Sequence, residues 1–179
     1  MPTISLRARA IAGACIVAFL TVLLIPTAAV AAGLNTGFGF NARGITGVST
    51  GSVDLTGGGA FNAVTGFVHS GGGFSCTNTV TTGPLTGCST GQGVRWDTAS
   101  LLRTTMFKCT ASEALRPATT SGDTAVLSAD FYRAGDGNDE SFTANMIVTT
   151  NDLDRDVPGI QNVWIQGVGC AIANTHFSN

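Results

Sequence analysis

Charge is scarce in this chain. Only 11% of its 179 residues are Asp, Glu, Lys or Arg, nine cationic against eleven acidic. The arginines are scattered, so there is no electrostatic footprint for nucleic acid. No basic amphipathic stretch is available to lie on anionic lipid. Histidine is limited to His69 and His176, far apart in the sequence, which leaves little for transition-metal chemistry. No two cysteines stand close enough for a four-cysteine metal site. There is no twin-arginine pair and no tandem repeat along the chain. Aromatic residues make up 7%, with two tryptophans and one tyrosine. In a chain this lean in rings, Trp96 and Trp164 are expected to fill the core and not to stack on a sugar.

The first residues carry an export signal. Arg7 and Arg9 precede an apolar run, Ala10–Ile25, which Pro26 breaks before the small residues Ala29-Val30-Ala31. The run is short against the ~20 residues a membrane span needs. Residues 1–32 therefore read as a signal peptide, and 33–179 as a single secreted or periplasmic domain of about 147 residues. No membrane association is expected once the signal is removed. Losing Arg7 and Arg9 leaves seven cationic residues against eleven acidic ones, a net charge of −4. Cys15 is no lipoprotein cysteine, because the apolar run continues after it. The remaining four, Cys76, Cys88, Cys109 and Cys170, read as two disulfides in an exported chain. Cys76–Cys88 across a local loop and Cys109–Cys170 between distant strands is the preferred pairing, though the count alone permits three connectivities.

The clearest structural signal is Thr124–Thr150. Leu127, Ala129 and Phe131 alternate with Ser128, Asp130 and Tyr132. After an acidic connection, Phe142, Ala144, Met146 and Val148 alternate with Thr143, Asn145, Ile147 and Thr149. That is a half-buried β-hairpin. Upstream, Gly57-Gly58-Gly59 and Gly71-Gly72-Gly73 lie symmetrically about a turn at Asn62–Gly66, so the triplets should face each other across two strands. Glycines so placed mark sheet curvature or close approach of another backbone or a ligand. The G-G-G-x-F pattern ahead of this hairpin resembles small β-barrels of the allene oxide cyclase and dirigent type, a resemblance that carries no function. Gly33–Gly47 reads as an edge strand or lead-in, and Thr110–Asp123 as a polar loop. Gln161–Phe177 reads as a central or barrel strand and not an edge, largely apolar on both faces. Between them, Asp97 is expected to cap a helical turn or two through Ser100-Leu101-Leu102, the alternative being one strand broken by a bulge. The expected fold is all-β: an antiparallel small barrel or sandwich of about seven or eight strands, with at most one short helix, held by disulfides.

Chemistry is less legible. Ala134–Phe142 resembles one nonapeptide of the RTX type, in which Asp139 and glycine carbonyls hold calcium. Such repeats work by stacking, and one copy builds no solenoid. Asp136, Asn138, Asp139 and Glu140 still offer the oxygens calcium requires, on a bendable loop. Asp152-x-Asp154-x-Asp156 opens like an EF-hand but has Val157 where glycine is needed and Val163 where glutamate belongs. Gly87-Cys88-Ser89-Thr90-Gly91 matches G-x-S-x-G, with His176 downstream, but lies in a loop with no strand–elbow–helix context. Nothing places two carboxylates across a cleft. The expectation is an exported, non-catalytic domain that binds an unknown ligand or surface partner, with calcium as the one cofactor considered. The alternatives are a carrier of small apolar ligands beside the glycine hairpin, or a small secreted enzyme with Asp130, Arg133 or His69 in its lumen.

Overall fold

A computed structural model describes residues 33–134 and 141–178. The signal-peptide reading of residues 1–32, and the calcium reading of Asp136, Asn138, Asp139 and Glu140, fall outside the described residues. Ten strands follow one another: β1 (Thr36–Gly47), β2 (Ser52–Phe61), β3 (Val68–Asn78), β4 (Arg95–Leu101), β5 (Thr104–Phe107), β6 (Arg116–Thr119), β7 (Thr124–Tyr132), β8 (Phe142–Thr149), β9 (Gln161–Ile165) and β10 (Gly169–Ser178). Eight of them close into an antiparallel barrel, β1-β10-β9-β8-β7-β4-β3-β2, while β5 and β6 form a separate hairpin. Closure satisfies every strand of the barrel on both sides and leaves it no edge.

The alternation in β7 and β8 sets which face is inside. Leu127 pairs with Met146 and Ala129 with Ala144, and all four side chains are buried in the lumen. Aromatic rings fill most of the rest. Phe177, Phe61 and Phe38 contact one another in turn, and Phe40 continues the chain to Trp96 at a centroid distance of 5.9 Å. Phe74 and Phe131 form a second, T-shaped pair at 5.0 Å. Val80 and Leu85, from the loop after β3, belong to the same cluster, and the Cys76–Cys88 disulfide ties that loop to β3.

The glycine triplets do face each other, Gly57 with Gly72 and Gly58 with Gly71. What they admit is a side chain of the protein itself. A Cβ on Gly57 would lie 2.7 Å from Trp96 Cζ2 and 2.5 Å from the Gly71 carbonyl oxygen. The indole N–H donates to the Thr56 carbonyl oxygen at 3.0 Å. The bare backbone is therefore the seat of Trp96, which is fully buried.

A second, smaller core lies outside the barrel. Val126 on β7, Ile147 on β8, and Trp164 and Cys170 on β9 and β10 are outward residues, yet they are buried because the β5–β6 hairpin covers them with Phe107 and Ala118. The Cys109–Cys170 disulfide fastens that cover to the wall. The Trp164 indole N–H donates to the Lys108 carbonyl oxygen at 2.9 Å.

Four expectations require correction. No helix forms at Asp97–Leu102, and the bulged-strand alternative is the one the structure adopts. This segment is β4, paired with β3 on one side and β7 on the other, with an irregularity between Thr98 and Ser100. Ladder pairing on both sides outweighs the capping potential of a single aspartate. The supposed polar loop Thr110–Asp123 contains β6, whose alternation is too short to read. The final apolar run is two strands, β9 and β10, reversed through Gly167 at φ 77°. Finally, β1 pairs with both β2 and β10 and is no edge.

Candidate functional site

With the lumen filled by apolar side chains, polar chemistry is confined to the outside. The outer face of β1, β2, β3, β4, β7 and β10 carries a continuous cross-strand row: Asn174, Asn41, Thr56, Gly73, Arg95 and Tyr132, each paired with the next. These residues are outward because their neighbours along each strand are the lumen residues. The adjacent row is His176, Gly39, Gly58, Gly71, Asp97 and Asp130. Its three glycines form a low floor onto which the flanking side chains fold. A Cβ on Gly39 would fall 2.4 Å from His176 Cε1, and one on Gly71 would fall 2.9 Å from Asp97 Oδ1.

An open depression of about 430 Å³ lies on this face, lined by Asn41, Arg43, Asp54, Thr56, Gly73 and Ser75. Asp54 Oδ1 accepts the Gly44 N–H at 2.8 Å. At its border the Arg95 guanidinium sits 3.9 Å above the Tyr132 ring and pairs with Asp97. Both partners of that ion pair are about half exposed, so it is worth ~0–1 kcal/mol and exchanges readily for another polar group. Asp130 accepts the Thr143 hydroxyl at 2.9 Å. The face offers amide, hydroxyl, carboxylate and guanidinium groups on a smooth sheet, a surface suited to a polar partner lying flat.

The candidate catalytic residues are not brought together. Ser89 lies in an exposed loop with no helix after it, where its backbone N–H donates to the Gln92 side-chain oxygen. His69 and His176 are exposed on the outer faces of β3 and β10. Asp130 is on the outer face of β7, and the Arg133 guanidinium lies 5.2 Å from the Phe142 ring. None of them enters the lumen. Asp152 and Asp154 act as turn acceptors: Asp152 Oδ1 takes the N–H groups of Asp154 and Gln161, and Asp154 Oδ1 that of Asp156.

One cluster was not visible in the sequence. Asp154 is the only buried charged residue among the described ones, 1% exposed. Its carboxylate, that of Glu113 and the Cys109 sulfur all lie within 4.8 Å of one another. The sulfur is spent in the disulfide with Cys170, so only two carboxylates remain for any cation. Burial pushes the Asp154 carboxyl up; the Asp156 N–H opposes this, the negative charge of Glu113 reinforces it, and the net direction is upward. Burial also raises Glu113, but the Cys109 N–H, Arg116 and Asp154 outweigh it, and its value falls below the ordinary one. Glu113 Oε2 accepts the Cys109 N–H at 2.9 Å and Arg116 Nη2 at 3.1 Å. Glu113 and Asp154 lie far apart in the chain, and nothing in their spacing announces the contact. No family model matches this chain, and no curated protein or solved structure matches it.

Proposed function

We propose that this is an exported, non-catalytic binding domain that works through the outside of its barrel, by the face centred on Asn41, Thr56 and Gly73. The observation that carries the reading is the filled lumen. The carrier alternative needs space beside the glycine hairpin, and Trp96 occupies that space. On the uncovered wall the outward positions carry Asn41, Thr56, Arg95, Asp97 and Asp130 among glycines, the reverse of a barrel wall that faces lipid. Two disulfides suit an oxidising compartment outside the cytoplasm.

The test is to place a bulky charge in the centre of the face. Thr56 is exposed, and Thr56→Arg leaves its carbonyl free to accept the Trp96 N–H. With the full chain expressed in an exporting cell, the wild type is expected to be retained on the envelope and the variant released into the medium, with unchanged Tm. Equal distribution of the two would remove this face from the reading.

The calcium component rests on the connection between β7 and β8. Excess calcium is expected to raise the melting temperature of the oxidised domain, and Asp139→Ala to abolish the rise. Binding at 100 Kd corresponds to ~2.7 kcal/mol, several degrees for a domain of this size. Superimposable melts in calcium and chelator would leave the acidic connection as a solvated turn.

A further inference from the structure

The β8–β9 connection carries Leu153 into the satellite core and Asp154 against Glu113. Glu113 belongs to the loop between β5 and β6, so the two carboxyls join the β8–β9 connection to the external hairpin. Cys109, 2% exposed, lies against both of them. The charged groups acting on Asp154 are Glu113 from the hairpin loop and Arg116 from β6; Asp156, in its own loop, contributes a backbone N–H. The disulfide partner on β10 does not titrate. Arg116 also reaches over the Phe107 ring, 5.2 Å from its centroid, and its Nε has no partner. A single arginine therefore faces two carboxyls, the buried Asp154 and the partly buried Glu113.

Two carboxylates at this separation are stable together when they share one proton, since both cannot ionise without repulsion in a poorly solvated place. We propose that Glu113 and Asp154 form a proton-sharing latch that fastens the β8–β9 connection onto the β5–β6 hairpin and loosens as pH rises, opening the Cys109–Cys170 disulfide to solvent. Asp154 is the proton carrier, and Glu113, held by the Cys109 N–H and Arg116, is the acceptor.

The sign follows from linkage. Asp154 holds its proton more tightly when latched than when released. Its contribution is fully present below the ordinary aspartate value of 3.8 and is lost as pH rises through the raised latched value. Glu113 works in the other sense. Its contribution holds above the ordinary glutamate value of 4.5 and is lost as pH falls through its lowered one. The latch is therefore tightest in mild acid.

Amide hydrogen exchange on the oxidised chain tests this, read as protection factors so that the intrinsic pH dependence of exchange is removed. In the wild type, protection at Cys109, Leu153 and Asp156 should fall as pH is raised from about 4 to about 8. The fall should be about tenfold for each unit by which the Asp154 carboxyl is raised in the latched state. Amides of the Cys76–Cys88 loop should show no such fall. Asp154→Asn mimics the protonated carboxyl and still accepts the Asp156 N–H, so its protection should stay high and flat. If that variant does not fold, Glu113→Gln should make the profile shallower without flattening it, because burial still raises the Asp154 carboxyl when the Glu113 charge is gone. A wild-type profile that is flat, or one that either folded variant reproduces in full, overturns the latch. So does carboxyl-carbon NMR that finds Asp154 titrating at its ordinary value. Protection restored at neutral pH by calcium, and lost in Asp154→Asn, would make the pair a cation site and overturn it equally.

Discussion

Trp96 and Trp164 are both buried, and each donates its indole N–H to a carbonyl oxygen of a neighbouring segment. Their surroundings differ. Trp96 sits in an apolar lumen closed by paired strands, against the bare backbone of Gly57. Trp164 lies on the outer wall under a hairpin of two four-residue strands, in a cluster that also holds a disulfide and ends at two carboxyls. Barrel closure supplies the first core with its walls. The second has one wall of its own and a short cover, and such a cover buries too little apolar surface to hold by itself. The disulfide and the Glu113–Asp154 contact fall where that deficit lies.

The comparison is broken most severely by removing each indole. Trp96→Ala should cost ~3–5 kcal/mol and lower the cooperative melt of the whole barrel. Trp164→Ala should instead loosen the hairpin first, seen as lost amide protection in β5 and β6 while β1–β3 stay protected. Equal loss of protection everywhere in both variants would mean that the two cores are one cooperative unit.

The disulfides come next. Replacing Cys109 and Cys170 together by serine opens a link of 61 residues and should cost about 4 kcal/mol. The same change at Cys76 and Cys88 opens one of 12 residues and should cost about 3 kcal/mol. Denaturant titration of the two double variants orders them. The reverse order would show that sealing the end of the lumen matters more than fastening the cover.

A smaller contrast separates the glycines of the lumen from those of the outer face. Gly57→Ala pushes a methyl into Trp96 and the Gly71 carbonyl, and should cost ~1–3 kcal/mol. At Gly73 a Cβ meets only Thr56 Cγ2, at 3.2 Å, so Gly73→Ala should stay within about 0.5 kcal/mol of the wild type. Equal effects on Tm would mean that the sheet relaxes around the indole.

The β7–β8 hairpin and its buried faces, the facing glycine triplets and the presence of two disulfides were legible, because period-two alternation and cysteine parity are local signals, while parity alone left three pairings open. β4 was misread because Asp97 looks like a cap until strands on both sides claim its backbone. β6 was missed because four residues carry too little pattern. The Glu113–Asp154 contact joins two loops by folding alone.

Residue chemistry by itself determined that this chain would be antiparallel, β-rich and cross-linked, since the spacing of apolar residues decides what each strand can bury. Only the tertiary structure decided that the sheet closes, that Trp96 packs against Gly57, and that two carboxyls meet beside a disulfide. Each of these depends on which distant segments come into register, and registry between non-neighbouring strands is set by the packing of the whole barrel.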